Sequence, residues 1–273
     1  MEKRPRALFS LLISEKSEML IRFGLKDRFV AAGIHLSISM VVAIAAAVFL
    51  FGVLYPSPFY EISGGLSLFK VLVGVDVVVG PLLTGLIFNC RKPAAELQRD
   101  LVIIVMLQLT ALAYGLWSMY MARPVYLVHE VDRFVVVSAA DIDPVDLEDA
   151  APEFRYVPYF GILTLGLREP KDLEEKLKAL GLSIAGKDLS LQPRFWQKLS
   201  SANQEAIQKS SRPLAELRAK SPEAKKTVDA WSQKQTEKIS DLRYFPLVAR
   251  EHFWTVVLDK ELRMVGYLPI DPF

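Results

Sequence analysis

Residues 66–89, LSLFKVLVGVDVVVGPLLTGLIFN, decide how the chain is to be read. The stretch is long and apolar enough to cross a bilayer, which takes about 20 residues at a rise of about 1.5 Å each. Yet it holds Lys70, Asp76 and the pair Gly80-Pro81. A charged side chain at the centre of a membrane helix costs about 2.5–3.5 kcal/mol on insertion scales. A proline inside a helix removes a backbone hydrogen bond that neighbours or waters must replace. Lys70 lies one turn from the start and can snorkel to the interface; Asp76, near the middle, cannot. Such a segment calls for partner helices, and the sequence supplies one on each side.

Before it, residues 34–54, IHLSISMVVAIAAAVFLFGVL, form a first expected span. Ser39, Ala43 and Ala47 recur every fourth residue, a small-residue face on which another helix can approach closely, whether a neighbour in the same chain or a client. After it, residues 101–122, LVIIVMLQLTALAYGLWSMYMA, form a third span with Trp117 and Tyr120 at the level of an aromatic belt. Its polar residues are Gln108, Thr110 and Tyr114. If spans two and three form a hairpin, Asp76 comes within reach of Gln108 or Thr110.

The loops set the orientation. Residues 55–65, YPSPFYEISGG, carry no Lys or Arg, whereas 90–100, CRKPAAELQRD, carry Arg91, Lys92 and Arg99. The positive-inside rule puts the second loop and the N-terminal segment in the cytoplasm. With three spans, everything after Arg123 is then expected in the periplasm of a two-membrane bacterium. Residues 1–33 mix Leu8, Leu11, Leu12, Met19, Leu20 and Phe23 with seven basic side chains among positions 3–28. That pattern suits an amphipathic helix lying on an anionic leaflet.

Residues 123–273 have globular composition and the length of one domain. Alternating or apolar runs at 125–130 and 134–138 around Asp132-Arg133 read as a strand pair, with a weaker strand at 161–167. Residues 171–180, ended by Gly181, read as an amphipathic helix with Leu173, Leu177 and Leu180 on one side. Short helices are expected at 193–200 and 213–219, a longer polar one at 222–241, and closing strands at 252–258 and 262–268. The fold class that results is a membrane protein: three transmembrane α-helices at 34–54, 66–89 and 101–122, then an α+β periplasmic domain whose first and last strands share a sheet.

No set of residues points to chemistry. The net charge of +2 is near balance, and no nucleic-acid-binding motif is present. The single Cys90 excludes a disulfide within the chain and any multi-cysteine zinc site. His35, His129 and His252 lack ligand-spaced neighbours, so no metal site, cofactor or catalytic residue is expected. The acidic cluster Asp141, Asp143, Asp146, Glu148 and Asp149 lacks the glycine and spacing of a calcium loop and reads as solvated. Asp76 alone occupies a position that costs energy, and an intramembrane carboxyl is by default a functional candidate. The alternative is that it is hydrogen-bonded glue between helices, or protonated.

Several stretches resemble the type IV pilin accessory proteins (TfpX and TfpZ), also known as fimbrial assembly proteins. His35-Leu36 followed by Ser37 and Ser39 resembles the family's HL…S pattern, and Tyr55-Pro56-Ser57-Pro58-Phe59 with Gly64-Gly65 its YP-x-P-[FY]…GG loop. Most specific is Val75 to Thr84, VDVVVGPLLT, similar to VD-x-x-x-GPLLT. Asp132-Arg133-Phe134 and the close at 266–273, GYLPIDPF, fit as well, although the family often ends in Trp or Tyr where Phe273 stands here. The N-terminal extension and the stretch 149–242 match no family motif.

The resemblance implies a non-enzymatic inner-membrane protein that binds or chaperones the major type IV pilin and modulates pilus assembly. Its partners would be the pilin's membrane stem and head, membrane lipids and, as an open option, a second copy of the chain. The residues singled out are Asp76, Gly80, Pro81, Thr84 and Gln108 inside the spans, and Ser39, Ala43 and Ala47 as the packing or client face. Two other classes remain: a sensor or adaptor whose periplasmic domain binds a ligand, and a small transporter or membrane enzyme using Asp76 and Lys70.

Overall fold

The computed structural model describes residues 4–89, 91–250 and 252–273, with side chains from Leu25 onward. The apolar stripe expected within residues 8–23 lies outside the described side chains, and Cys90 outside the described residues. In chain order the first part comprises α1 (Arg4–Phe49), a π-helical turn (Leu50–Leu54), α2 (Phe59–Ile62), α3 (Gly65–Val73), a second π-helical turn (Gly74–Val79), α4 (Gly80–Ile87) and α5 (Ala94–Ala122). Then follow β1 (Pro124–Glu130), β2 (Arg133–Ser138), β3 (Leu163–Leu167), α6 (Leu173–Ile184), β4 (Trp196–Lys198), α7 (Ser201–Ser210) and β5 (Arg212–Pro213). The chain ends with α8 (Leu214–Lys220), α9 (Pro222–Ser232), β6 (Arg243–Val248), β7 (Phe253–Leu258) and β8 (Met264–Leu268).

Three helical stretches are long and apolar enough to cross a membrane: Leu25–Leu54, Gly65–Ile87 and Ala94–Ala122. The first continues without a break from the N-terminal segment, and the third begins at Ala94 rather than at 101. The chain divides into two compact units. One holds the described residues up to Phe49 with Ser67–Ser118; the other holds Leu50–Leu66 with Met119–Phe273.

In the helical unit, the middle of the three stretches is not one regular helix. Pro81 has no N–H, and in the interior of an α-helix it would kink the chain. Here the turn before it is widened: the Gly80 N–H donates to Val75 O, five residues back, and Pro81 sits at the start of α4, where no intrahelical N–H is needed. The wide turn carries Asp76. Helix α1 packs along α4 and this turn, and α5 approaches α4 at Gly80 and α3 at Gly115. A Cβ at Gly80 would collide with the Gln108 amide, and one at Gly115 with Leu72 Cδ1.

In the second unit, eight strands among the described residues form one mixed sheet, β4-β3-β1-β2-β6-β7-β8, with β5 paired to β6. The β1–β2 hairpin pairs Leu127 with Val136, β3 runs parallel to β1, and β6 runs parallel to β2. Successive β1 residues point to opposite faces, and both are covered. Leu127 packs with Phe134, Phe245, Val256 and the loop residues Phe59 and Ile62. Tyr126 and Val128 pack with Leu147, Phe154 and Trp196. Helices α8 and α9 cover Tyr244 and Val257 through Leu214, Leu217 and Val228.

Several expectations are corrected. Residues 193–200 form a 3-10 turn and β4 rather than a helix, and the helix expected to reach 241 ends at Ser232. Strand β6 and helix α7 were not expected. Pro246 hid the strand, because proline normally marks an edge. It is tolerated because β5 pairs at Arg243 and Tyr244 and β2 at Leu247 and Val248, so the missing N–H falls in the gap between them. Helix α6 runs past Gly181, and its stripe of Leu173, Leu177, Leu180 and Ile184 is exposed, with Ala179 on the buried side. In the acidic cluster, Asp143, Glu148 and Asp149 are exposed, as the solvated reading expects, and three of the five carboxylates meet basic partners. Asp141 pairs with Arg250 at 2.6 Å, Asp149 with Arg194 at 2.8 Å, and Asp146 with Lys187.

Candidate functional site

A cavity of about 400 Å³ opens among α1, α4 and α5 of the helical unit. Its wall is apolar, built from residues such as Ile34, Ile38, Val42, Val105, Leu109 and Leu112. Into it come five polar side chains: His35, Ser39, Asp76, Thr84 and Gln108. A helix places residues four apart on one face, which puts His35 and Ser39 together on α1. The wide turn and α4 bring Asp76 and Thr84 to the same wall. Asp76, Ser39 and Thr84 are all buried.

His35 Nδ1 and Thr84 Oγ1 share a 2.6 Å hydrogen bond, which ties α1 to α4. Nearer the other loop, Arg28 Nε donates to the Phe88 carbonyl at 2.9 Å, at the end of α4. Gln108 is held differently. Its Nε2 is buried and has no hydrogen-bond partner. An amide in that state forfeits roughly 1–3 kcal/mol relative to a satisfied one. The side chain reaches this position only because residue 80 is glycine, and His35 Nε2 would stand 3.1 Å from a Cβ there.

The residues expected from sequence therefore separate. Ser39, Asp76, Thr84 and Gln108 converge on one cavity. Gly80 and Pro81 are buried supports, one giving room to Gln108 and the other starting α4. Ala43 is buried and Ala47 half-buried, so most of the small-residue face is already covered within the helical unit. Thr110 is exposed and donates to Met106 O on its own helix. His35 was set aside as a metal ligand, yet it is a polar anchor of the cavity. Its spacing of four from Ser39 was the available signal.

A second arrangement lies in the other unit, where the chain enters and leaves the sheet domain. The Tyr55 ring is fully buried, and its hydroxyl donates to Met119 O at 2.7 Å. Burial pushes the phenol well above the usual tyrosine range. Gly64 takes φ +71°, and a Cβ on Gly65 would lie 2.7 Å from the Tyr55 ring, so the Gly64-Gly65 pair is sterically required. Arg123, also buried, lies over the Tyr120 ring at 3.7 Å and donates to the carbonyls of Tyr120 and Pro158.

Three apolar helices around an apolar cavity entered by five polar side chains, joined in one chain to a mixed-sheet domain, define the chain's architecture. Sequence comparison defines its family: the chain belongs to the fimbrial assembly proteins. The family model for fimbrial assembly protein FimB matches residues 23–64, which contain His35, Ser39 and the Tyr55 loop. The fimbrial assembly protein of serogroup I from Dichelobacter nodosus is 38% identical over 257 residues, covering 91% of this chain and 98% of the relative. The serogroup E1 protein of the same organism has the same identity and coverage. A shorter relative, of serogroups C1 and C2, is 40% identical over 121 residues, 43% of this chain and 92% of its own length. No solved structure matches the chain.

Proposed function

We propose that this fimbrial assembly protein resides in the inner membrane and receives the membrane-spanning segment of the major type IV pilin in the cavity among α1, α4 and α5. The N-terminal segment and the loop before α5 lie in the cytoplasm, and the sheet domain lies in the periplasm beside the pilin's globular head. The role is binding and not turnover: the protein holds a pilin before assembly and acts as its chaperone. The observation that carries this reading is Gln108, whose amide nitrogen is buried at the wall of an apolar cavity without an acceptor. A spanning helix that fills the apolar space and offers one carboxyl or carbonyl oxygen supplies what Gln108 lacks. Outward-facing apolar residues on all three helices, Val41, Val71, Leu82 and Ile103 among them, support the membrane placement.

The test is co-purification of the cognate pilin with the full chain in mild detergent. An interhelical hydrogen bond in a membrane contributes about 1 kcal/mol, or about fivefold in affinity. Gln108→Leu keeps the volume and removes the donor, so pilin recovery should fall by about that factor at unchanged protein level. Undiminished recovery would remove Gln108, and with it the main support for the cavity, from the account.

A further inference from the structure

The connection between the acidic cluster and β3, residues 155–161 (RYVPYFG), is anchored from below and bare on top. Two of its carbonyls are held by buried donors: Tyr126 Oη donates to Tyr156 O at 2.9 Å, and Arg123 Nη2 donates to Pro158 O at 2.7 Å. Val157 packs on one core cluster and Ile162, just beyond the loop, on the other, and Pro158 is buried. Gly161, at φ +77°, turns the chain. The side chains between these anchors point outward: Tyr156 is 59% exposed, Tyr159 72% and Phe160 62%. A loop that fixes its backbone at two hydrogen bonds from buried side chains and leaves three large aromatic rings bare is built to display them.

The anchor identifies what the rings meet. Arg123 is the first residue after α5, the third helix long and apolar enough to span. Its guanidinium joins the last turn of that helix, through Tyr120 O and the Tyr120 ring, to the loop, through Pro158 O. The loop is therefore pinned where the chain leaves the span. The headgroup layer there is about 5–7 Å deep on each side of the hydrocarbon. Tyrosine is enriched at that level because an apolar ring and a polar hydroxyl suit the two media, and phenylalanine seats apolar faces at the same boundary. The exposed Arg155 next to Tyr156 adds a cation suited to lipid phosphate.

We propose that residues 155–161 form a membrane-seating loop, with Tyr156, Tyr159 and Phe160 inserted into the lipid headgroup layer beside the end of α5. The loop then fixes the sheet domain at the bilayer surface. The proposal rests on the reading of α5 as a membrane span, and the experiment separates the two.

The full chain carrying Cys90→Ser and Phe160→Cys is labelled with an environment-sensitive fluorophore in nanodiscs of phosphatidylethanolamine and phosphatidylglycerol. A second chain carries the label at Ile103→Cys, on the exposed side of α5. Label at residue 160 should show blue-shifted emission, lose at least half its intensity to lipids spin-labelled near the headgroup, and resist aqueous iodide. Iodide quenching at 160 with lipid quenching at 103 overturns the loop and leaves the span intact. Iodide quenching at both positions overturns the span as well. Shielding at 160 that appears only when purified pilin is added also overturns the proposal, in favour of a protein partner.

Discussion

His35 Nδ1 and Thr84 Oγ1 lie 2.6 Å apart, joining residues 49 positions distant in the chain. This one hydrogen bond connects two stretches that carry the family resemblance, the HLSIS run of α1 and the VDVVVGPLLT run of the wide turn and α4. It also sets one edge of the cavity that Gln108 helps to line.

Gly80 is the point at which that geometry is most constrained. Gly80→Ala drives a methyl into the Gln108 amide and crowds His35 Nε2. Overpacking of this kind costs about 1–3 kcal/mol. The thermal midpoint of the full chain in detergent should drop accordingly, and Gln108→Ala in the same chain should recover most of the loss. A Gly80→Ala protein as stable as its parent would mean that α5 does not approach α4 there.

The Tyr55 hydroxyl closes the entry to the sheet domain on Met119 O. Tyr55→Phe keeps the ring and leaves that carbonyl without its donor, so the domain should lose about 1 kcal/mol. Gly65→Ala, which sets a Cβ 2.7 Å from the ring, should lose more. Near-ultraviolet circular dichroism of the melting transition separates the two; equal midpoints for all three proteins would refute the role of the loop in the core.

His129 sits on β1, buried between Phe134 and Phe245. Burial holds the imidazole below its ordinary pKa, with the nearby Asp132 opposing more weakly. An unfolded chain, with its histidine near about 6.5, therefore takes up the proton before the folded one. Stability from this group is complete above that pH and is lost as pH falls below it. The thermal midpoint should decline from pH 7 to 5.5, and His129→Phe should flatten that part of the curve. An unchanged slope in the variant would assign the decline to other groups.

The helical half was legible because its signals are local. An apolar run long enough to span, with an aspartate and a Gly-Pro inside it, announces both a helix and its need for neighbours. Spacing picked out Ser39, a charge or polar group inside an apolar run picked out Asp76 and Gln108, and the family resemblance brought in Thr84. That they meet in one cavity was not legible, since it depends on the wide turn at Gly74–Val79 and on the close approach allowed by Gly80. In the sheet domain the hairpin around Asp132-Arg133 was plain from alternation. Strand β6 was hidden by Pro246, whose harmlessness depends on where two other strands stop. Residues 55–65 read as a connector that carries the family's YP-x-P-[FY]…GG pattern, yet Phe59 and Ile62 belong to the sheet's core, a contact no local pattern encodes.

Helix α6 gives the converse case. Its leucine spacing suggests a core face, but Leu173, Leu177 and Leu180 are exposed. Leu177→Gln should therefore change the thermal midpoint by no more than the equivalent of about 0.5 kcal/mol. A loss of the size expected for a buried leucine, about 2–5 kcal/mol on truncation, would show that the stripe is covered in solution.

The central claim is that the cavity among α1, α4 and α5 holds the pilin's membrane segment. Its most direct test is photo-crosslinking in cells that express the cognate pilin, with a photoreactive residue in place of Val105 or Leu109 on the cavity wall and, as a control, of Ile103, which does not line the cavity. A pilin adduct from positions 105 and 109, and none from 103, is the expected result. Equal adducts from all three positions, or none from the cavity wall while pilin is abundant, would contradict the claim.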